Sequence, residues 1–154
     1  MAFVALSGGQ SGDLDLYGIY NFGYFADTVL IRDGGAFSYL VATYEGNDVI
    51  DNSRSTTTLQ AHSYFAGSGN DRIIGGASNE FVFDGSGNDT VALGAGSDSA
   101  NACSGNDVMD GGSGIDILSF NFSSFDGAGV GILFVNFSSV TADLAKEPLS
   151  NACV

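Results

Sequence analysis

The feature that most constrains this chain is a repeat of nine residues. From residue 66 to residue 119, six units follow one another without an insertion: AGSGNDRII, GGASNEFVF, DGSGNDTVA, LGAGSDSAN, ACSGNDVMD and GGSGIDILS. In every unit position six is acidic and position eight is apolar, and position four is glycine except at Ser78. A period this short predicts a solenoid, in which each coil buries its apolar face against its neighbours.

One further unit and one interruption precede these six units. Residues 43–51, TYEGNDVID, carry the same signature with Asp48 at position six, and 14 residues, 52–65, separate them from the rest. The motif G-S-G-N-D, or its close copy C-S-G-N-D, returns every 18 residues, so alternate units are more alike than adjacent ones.

This pattern resembles the glycine- and aspartate-rich nonapeptide G-G-x-G-x-D-x-U-x of the repeats-in-toxin (RTX) family, over about residues 43–119. The resemblance implies an all-β fold, a right-handed parallel β-roll of two sheets with non-repeat β caps at both ends. In that family each unit forms a turn and then a short strand, and successive strands lie in opposite sheets. One coil takes two units, which accounts for the spacing of 18 residues.

The resemblance also places the acidic side chains of position six in two columns. Neighbouring coils lie about 4.8 Å apart, so stacked carboxylates repel one another unless a cation lies between them. Calcium suits such gaps because it takes about six to eight oxygen ligands in irregular geometry, whereas magnesium requires a near-ideal octahedron. We expect about three to four calcium ions. One column contains Asp71, Asp89 and Asp107, and the other contains Glu80, Asp98 and Asp116.

Main-chain carbonyl groups of the turns complete the coordination in this family. Glycine at positions two and four gives the backbone the freedom to aim these groups at the ion. The resemblance thereby implies further ligands in Gly67, Ser68, Gly69, Asp84, Gly85, Ser86, Gly87, Gly94, Gly96, Ser104, Gly105, Gly112 and Gly114.

The gaps between coils are not equally good as calcium sites. The gap between Glu80 and Asp98 is a poorer candidate, because the carboxylate of Glu80 is one methylene longer and Ser78 replaces the glycine. Asp48 and Asp71 lie 23 residues apart, one coil plus five residues, and can stack only if the insertion 52–65 loops out. The gaps expected to bind calcium best are Asp71/Asp89, Asp89/Asp107 and Asp98/Asp116.

The segments outside the repeat contain short apolar runs separated by turns, and an open solenoid needs its ends covered. Residues 1–42 are therefore predicted to form an N-terminal β cap. Residues 43–119 form the roll with its insertion 52–65, and residues 120–154 form a C-terminal β cap and tail.

Two groups of aromatic residues are expected either to be buried by another segment or to bind a ligand. Phe81 and Phe83 occupy outward-facing positions seven and nine, so we expect another segment to cover them. The N-terminal aromatic residues are interpreted as core, with a ligand-binding surface as the alternative. They are Tyr17, Tyr20, Phe22, Tyr24 and Phe25.

Composition narrows the possible partners. The 18 acidic and 4 basic residues give a net charge of −14, which excludes nucleic acid and favours a cation. No run of 18 apolar residues is present that could span a bilayer. The two cysteines, Cys103 and Cys153, are interpreted as free thiols, with a bridge between them as the alternative.

These features favour a non-catalytic calcium-binding module that folds on meeting extracellular calcium. The resemblance implies a secreted bacterial protein, exported by a type I system. The alternative is an adhesin or carbohydrate-binding module, with a glycan or cell-surface partner, built on the same roll. The oligomeric state stays open.

An enzyme acting on polysaccharide is a third hypothesis, with a groove lined by His62, Arg54 and Tyr64. The H-E-x-x-H motif of zinc proteases and the G-x-S-x-G motif of serine hydrolases are both absent. We therefore interpret His62 as an exposed or capping residue.

Overall fold

The described part of the chain is all-β, as predicted. The computed structural model describes residues 3–7, 12–13, 18–21, 24–32, 38–121, 131–135, 137 and 139–143. These residues form strands and turns, and none of them belongs to a helix. A helix that could cross a bilayer is accordingly not found within these ranges.

Most strands belong to two large sheets. The first sheet contains β1 (Phe3–Ser7), β2 (Gly12–Asp13), β4 (Thr28–Arg32), β6 (Val49–Asp51), β8 (Arg72–Ile74), β10 (Thr90–Ala92), β13 (Asn106–Asp110) and β16 (Gly131–Val135). The second sheet contains β3 (Gly18–Asn21), β5 (Tyr39–Ala42), β7 (Ala61–Phe65), β9 (Asn79–Phe83), β12 (Ser99–Ala102), β15 (Ile117–Asn121) and β17 (Ser139–Asp143). A small third sheet pairs β11 (Ala95–Gly96) with β14 (Ser113–Gly114).

Successive units of the repeat alternate between the two large sheets, and this confirms the β-roll. In the first sheet Val91 pairs in parallel with Ile73 on one side and Met109 on the other, each 18 residues away. In the second sheet Ala100 pairs in the same way with Leu118. One coil therefore takes two units, and the roll grows by stacking coils of constant register.

Position eight of every unit lies in the core. A strand of three residues has one inward-facing side chain at its centre, because successive side chains point to opposite faces. The residues at this position are at most 1% exposed, and one hydrophobic cluster joins those of both sheets. They are Ile50, Ile73, Val82, Val91, Ala100, Met109 and Leu118.

The insertion 52–65 is only partly a loop. Its residues 61–65 form β7, which lies between β5 and β9 in the second sheet. Ile50 still pairs with Ile73 across the five extra residues, because the connection 52–60 absorbs them. Asp48 therefore stacks on Asp71 although only residues 52–60 of the insertion form a loop, so the condition that the 14-residue insertion loops out is wrong for residues 61–65.

Strands from both predicted caps continue the sheets of the roll. β4 and β5 pair in parallel with β6 and β7, and β16 and β17 pair in parallel with β13 and β15. Antiparallel pairing among the described strands is confined to β1 with β2 and β4. The division into caps and roll at residues 42 and 120 stays a prediction.

The N-terminal aromatic residues were expected in the core, and two of them are on the surface. Tyr24 is 71% exposed and Phe25 is 82% exposed. Both lie in the turn before β4, which presents them to solvent rather than to the core. Tyr17, Phe22 and the side chain of Tyr20 lie outside the described residues.

Three other expectations also differ from the structure. Phe81 is 43% exposed rather than covered, while Phe83 is half-buried with its ring stacked on another phenylalanine.

His62 is fully buried instead of exposed, because it is an inward-facing residue of β7. Cys103 is disulfide-bonded rather than free, and the other cysteine, Cys153, lies outside the described residues.

Candidate metal centre

The turns that precede the strands stack closely on one another. In the turn of residues 84–89, the amide of Ser86 donates to the carbonyl of Gly67 at 2.7 Å, and the amide of Gly87 donates to the carbonyl of Ser104 at 2.8 Å. Gly87 has a φ of +138°, and a Cβ atom there would lie 1.7 Å from the carbonyl oxygen of Gly69. Only glycine allows coils to approach this closely at that point.

The acidic residues at position six form two continuous columns, as predicted. In each column the backbone N–H of one residue donates to the carboxylate Oδ1 of the residue one coil further along. The first column is joined by the pairs Asp27–Asp48 (2.7 Å), Asp48–Asp71 (2.8 Å), Asp71–Asp89 (2.8 Å) and Asp89–Asp107 (3.0 Å). The second column is joined by the pairs Glu80–Asp98 (2.8 Å) and Asp98–Asp116 (3.0 Å).

The hydrogen bonds between coils use only one oxygen of each carboxylate. The other oxygen of the carboxylates named below is buried and has no hydrogen-bond partner, and the residues that carry these oxygens are at most 3% exposed. A buried polar atom without a partner costs free energy, and a buried charge costs more. The unpartnered atoms are Oδ2 of Asp48, Asp71, Asp84, Asp89, Asp98 and Asp107, and Oε2 of Glu80.

Burial also shifts the protonation of these carboxyl groups. Loss of solvent raises the pKa of Asp71 to about 6, that of Asp89 to about 7 and that of Asp98 to about 6. Burial likewise raises the pKa of Asp48 and Asp107. Neighbouring carboxylates add to the effect on Asp71, Asp89 and Asp98, so a cation that binds in the columns must compete with protons near neutral pH.

A neutral ladder runs beside the first column. The Oδ1 atom of the asparagine at position five accepts the backbone N–H of the asparagine in the next coil. These bonds join Asn47 to Asn70, Asn70 to Asn88 and Asn88 to Asn106, at 2.8 to 2.9 Å. Because the asparagines carry no charge, they hold the turns together without adding to the repulsion between the aspartates.

The second column ends at Glu80. Its Oε1 atom accepts the hydroxyl of Ser78 at 2.6 Å and lies 3.4 Å from the side-chain amide nitrogen of Asn52. In the coil before it, the residue in register with Glu80 is His62 rather than an acidic residue. The ring of His62 stacks on that of Tyr39 at 3.8 Å between centroids. The gap on this side of Glu80 therefore has one carboxylate, not two.

The first column is longer than the sequence pattern indicated. Asp27 donates its backbone N–H to Asp48, and the carbonyl of Asp27 accepts the N–H of Val49 at 2.9 Å. The same carbonyl contact recurs in later coils, for example from Thr90 to the carbonyl of Asp71. The triplet D-T-V at residues 27–29 repeats the D-T-V of residues 89–91, and this match could have identified Asp27.

The side chain of Asp84 was also missed, since only its main chain was expected to be a ligand. Asp84 occupies position one of its unit and is fully buried. Its carboxylate reaches the gap between Asp89 and Asp107, where one oxygen atom from each of the three residues lies within 4.8 Å of the others. The acidic side chain at position one, where glycine is typical, was the available signal.

The donors in these gaps are oxygen atoms, which is the ligand chemistry of a hard cation such as calcium. The buried carboxylate oxygens without hydrogen-bond partners, stacked in columns between glycine-rich turns, therefore fit calcium. The turn carbonyl groups expected as further ligands stay a prediction. Those of Gly67 and Ser86 each accept one hydrogen bond, which leaves a second lone pair on each oxygen.

Comparison with known families agrees with this geometry. Residues 65–100 and 83–118 match the family model of the RTX calcium-binding nonapeptide repeat (4 copies). Neither the curated proteins nor the solved structures gave a match to the chain. The matched region contains Asp71, Asp89 and Asp107 of the first column and all three acidic residues of the second column. Residues 65–118 thus match the RTX calcium-binding nonapeptide repeat and fold as a parallel β-roll.

Proposed function

We propose that the chain is a non-catalytic module of a secreted protein, and that its roll folds when the chain meets extracellular calcium. The observation that supports this most strongly is the set of buried carboxylate oxygens without partners in the two columns. The charge of −14 adds to it, because a chain with so few basic residues has few cations of its own to place between stacked carboxylates.

The free energy that calcium supplies is large enough to decide whether the roll folds. A site with a dissociation constant of about 0.1 mM gains about 2.3 kcal/mol at about 5 mM calcium. Three such sites gain about 7 kcal/mol, which is comparable to the whole stability of a small domain. At the much lower free calcium inside cells this contribution vanishes and the carboxylates repel one another.

The experiment is a calcium titration of the purified chain, followed by circular dichroism. Excess EGTA is expected to remove most of the β-sheet signal of residues 66–119, and calcium is expected to restore it. Magnesium alone is the control and is expected to fail, because it does not accept irregular coordination. A spectrum and melting temperature that EGTA leaves unchanged, with no calcium bound, would contradict the proposal.

Secretion in an unfolded state agrees with the same energetics. A chain that stays unfolded at intracellular calcium can pass through an exporter and fold outside. Limited proteolysis tests this step, since we expect rapid cleavage in submicromolar calcium and resistance in millimolar calcium. Equal resistance in both conditions would count against export of an unfolded chain.

Exposed aromatic rings favour a second candidate, an adhesin or glycan-binding role. Tyr24 and Phe25 are adjacent and largely exposed, and aromatic faces are suited to stacking on apolar surfaces of ligands. A glycan array with the calcium-loaded protein tests this role. Binding that is lost on Tyr24→Ala and Phe25→Ala would support it, and an array without any signal would remove it.

A further inference from the structure

Among the gaps that the structure describes, the one between Asp89 and Asp107 is distinguished by the carboxylate of Asp84. The Oδ1 atom of Asp84 accepts the backbone N–H of Cys103 at 2.9 Å, and its Oδ2 atom is buried without a partner. Oxygen atoms of Asp84, Asp89 and Asp107 lie within 4.8 Å of one another. Burial raises the pKa of Asp84 well above its usual value, and the carboxylates of Asp107 and Asp89 raise it further.

No other unit places an acidic residue at position one. The equivalent residues on the same side of the roll are Thr43, Ala66 and Ala102, and those on the opposite side are Gly75, Leu93 and Gly111. Thr43 shows that a side chain at this position reaches the next coil, because its hydroxyl donates to the carbonyl of Ala66 at 2.8 Å. The roll therefore accepts alanine, threonine or aspartate here, and only Asp84 adds a charge.

We propose that Asp84 is a third carboxylate ligand in the gap between Asp89 and Asp107. This gap is then the tightest calcium site of the roll, and the one that prefers a trivalent lanthanide ion to calcium. The inference rests on the proposed function, since it assumes that the columns bind calcium at all. The inference adds a carboxylate ligand at position one of the repeat, and it predicts that calcium occupies this gap before the others.

Charge balance is the reason for both properties. When this gap is the first to be occupied, two carboxylates would neutralise one divalent ion, whereas three carboxylates leave a net charge of −1 with calcium and of zero with a trivalent ion. Affinity in oxygen-ligand sites rises with the number of charged ligands and with the rigidity of the site. The carboxylate of Asp84 is already held in place by Cys103 N–H, so it loses little side-chain freedom when an ion binds.

The test compares two variants that each remove one negative charge and keep a side-chain oxygen. Asp84→Asn changes the proposed ligand. Asp51→Asn is the matched control, because Asp51 is half-buried in β6, outside both columns, and accepts the N–H of Ser53 through Oδ1. Isothermal titration with calcium, and competition of terbium(III) against calcium, are carried out on both variants and on the unchanged chain.

We expect Asp84→Asn to weaken the tightest class of calcium sites by about tenfold or more. The excess preference of that site for terbium is expected to disappear, while Asp51→Asn matches the unchanged chain. If the unchanged chain binds calcium and Asp84→Asn binds it equally well in every class, the inference fails and the proposed function stands. If the unchanged chain binds no calcium, the proposed function itself fails.

A second measurement does not depend on whether Asp84→Asn folds. The unchanged protein is crystallised in calcium and soaked with one equivalent of terbium, and the anomalous signal locates the ion. We expect the strongest peak between Asp89 and Asp107, within about 2.3 to 2.6 Å of an Asp84 carboxylate oxygen. A strongest peak in another gap, or a peak here that Asp84 does not contact, would overturn the inference.

Discussion

Replacing Gly87 by alanine tests the close stacking on which both columns depend. The added Cβ would lie 1.7 Å from the carbonyl oxygen of Gly69 and 2.6 Å from its carbonyl carbon. Ordinary contacts between such atoms are about 3.5 Å, and the opposing atoms belong to the backbone and cannot rotate away. The two coils must therefore separate by more than an ångström at this point.

The cost follows from the bonds that this separation breaks. Three hydrogen bonds join the two turns nearby: Ser86 N–H to Gly67, Gly69 N–H to Ser86, and Asp71 N–H to the carboxylate of Asp89, at 2.7 to 2.8 Å. At about 1 kcal/mol each they contribute about 3 kcal/mol. The positive φ of residue 87 adds about 1 to 2 kcal/mol for a residue with a Cβ. We expect a loss of about 4 to 5 kcal/mol.

Urea unfolding in excess calcium, followed by circular dichroism, measures this loss. Ser86→Ala is the control, because it changes the adjacent residue of the same turn without a positive φ or an added contact, and we expect it to cost less than about 0.5 kcal/mol. A Gly87→Ala variant that loses less than about 1 kcal/mol would refute the stacking argument, since a contact of this kind cannot be relieved so cheaply.

Three further predictions follow from the same geometry. Val91→Asp is expected to prevent folding even in calcium, because an unpaired charge in the core costs several kcal/mol, whereas Thr90→Asp on the outer face leaves the circular dichroism spectrum intact. Asp89→Ala is expected to reduce calcium affinity in isothermal titration more than Glu80→Ala, because Asp89 borders two gaps of paired carboxylates and Glu80 borders one; equal losses would refute the columns. Because burial raises the native pKa of Asp89 to about 7, the metal-free roll binds extra protons between about pH 4 and pH 7, so calcium-depleted protein that is unfolded at pH 8 is expected to regain β-sheet circular dichroism as the pH falls to 5. In millimolar calcium the roll is folded at both pH values, and calorimetry is expected to show a higher melting temperature at pH 8 than at pH 5, because protons leave the oxygens that bind the ion.

The regular part of the fold could be predicted from the sequence because its physical signal is periodic. Position eight is apolar in all seven units, and a side chain at the centre of a short strand has one possible direction once the register is known. The columns follow from the same register. Asp71, Asp89 and Asp107 recur at 18 residues, so no knowledge of the connections is needed to stack them.

The parts that could not be predicted are those in which the period changes. Asp27 lies 21 residues before Asp48, and Asp48 lies 23 residues before Asp71, so neither interval is a whole coil. The hydrogen bonds between coils show that loops absorb the extra residues while the strands stay in register. His62 was misjudged for the same reason, since it occupies the acidic position of a half-coil whose turn carries no recognisable motif.

The role of Asp84 escaped prediction for a different reason. The family pattern has glycine at position one, and because glycine has no side chain, the pattern predicts only a main-chain carbonyl ligand there. Whether an aspartate at that position points into the gap or to solvent depends on the neighbouring coil. The N–H of Cys103 lies within reach and directs the carboxylate inward.

The end of the second column at His62 leads to one more prediction, which concerns the strands that fold first when calcium is scarce. At the level of His62 the column has no carboxylate, and burial lowers the pKa of His62 to about 4, so its ring is neutral when it stacks on Tyr39. On the side of the second sheet, half-coils that stack through neutral rings have no carboxylate repulsion for a cation to offset, whereas the half-coils from Glu80 onward do. We therefore expect hydrogen exchange in limiting calcium to leave residual protection in β5 and β7 while β12 and β15 exchange freely. Uniform protection across these four strands would show that the roll folds as one unit and that the interruption at His62 has no consequence for stability.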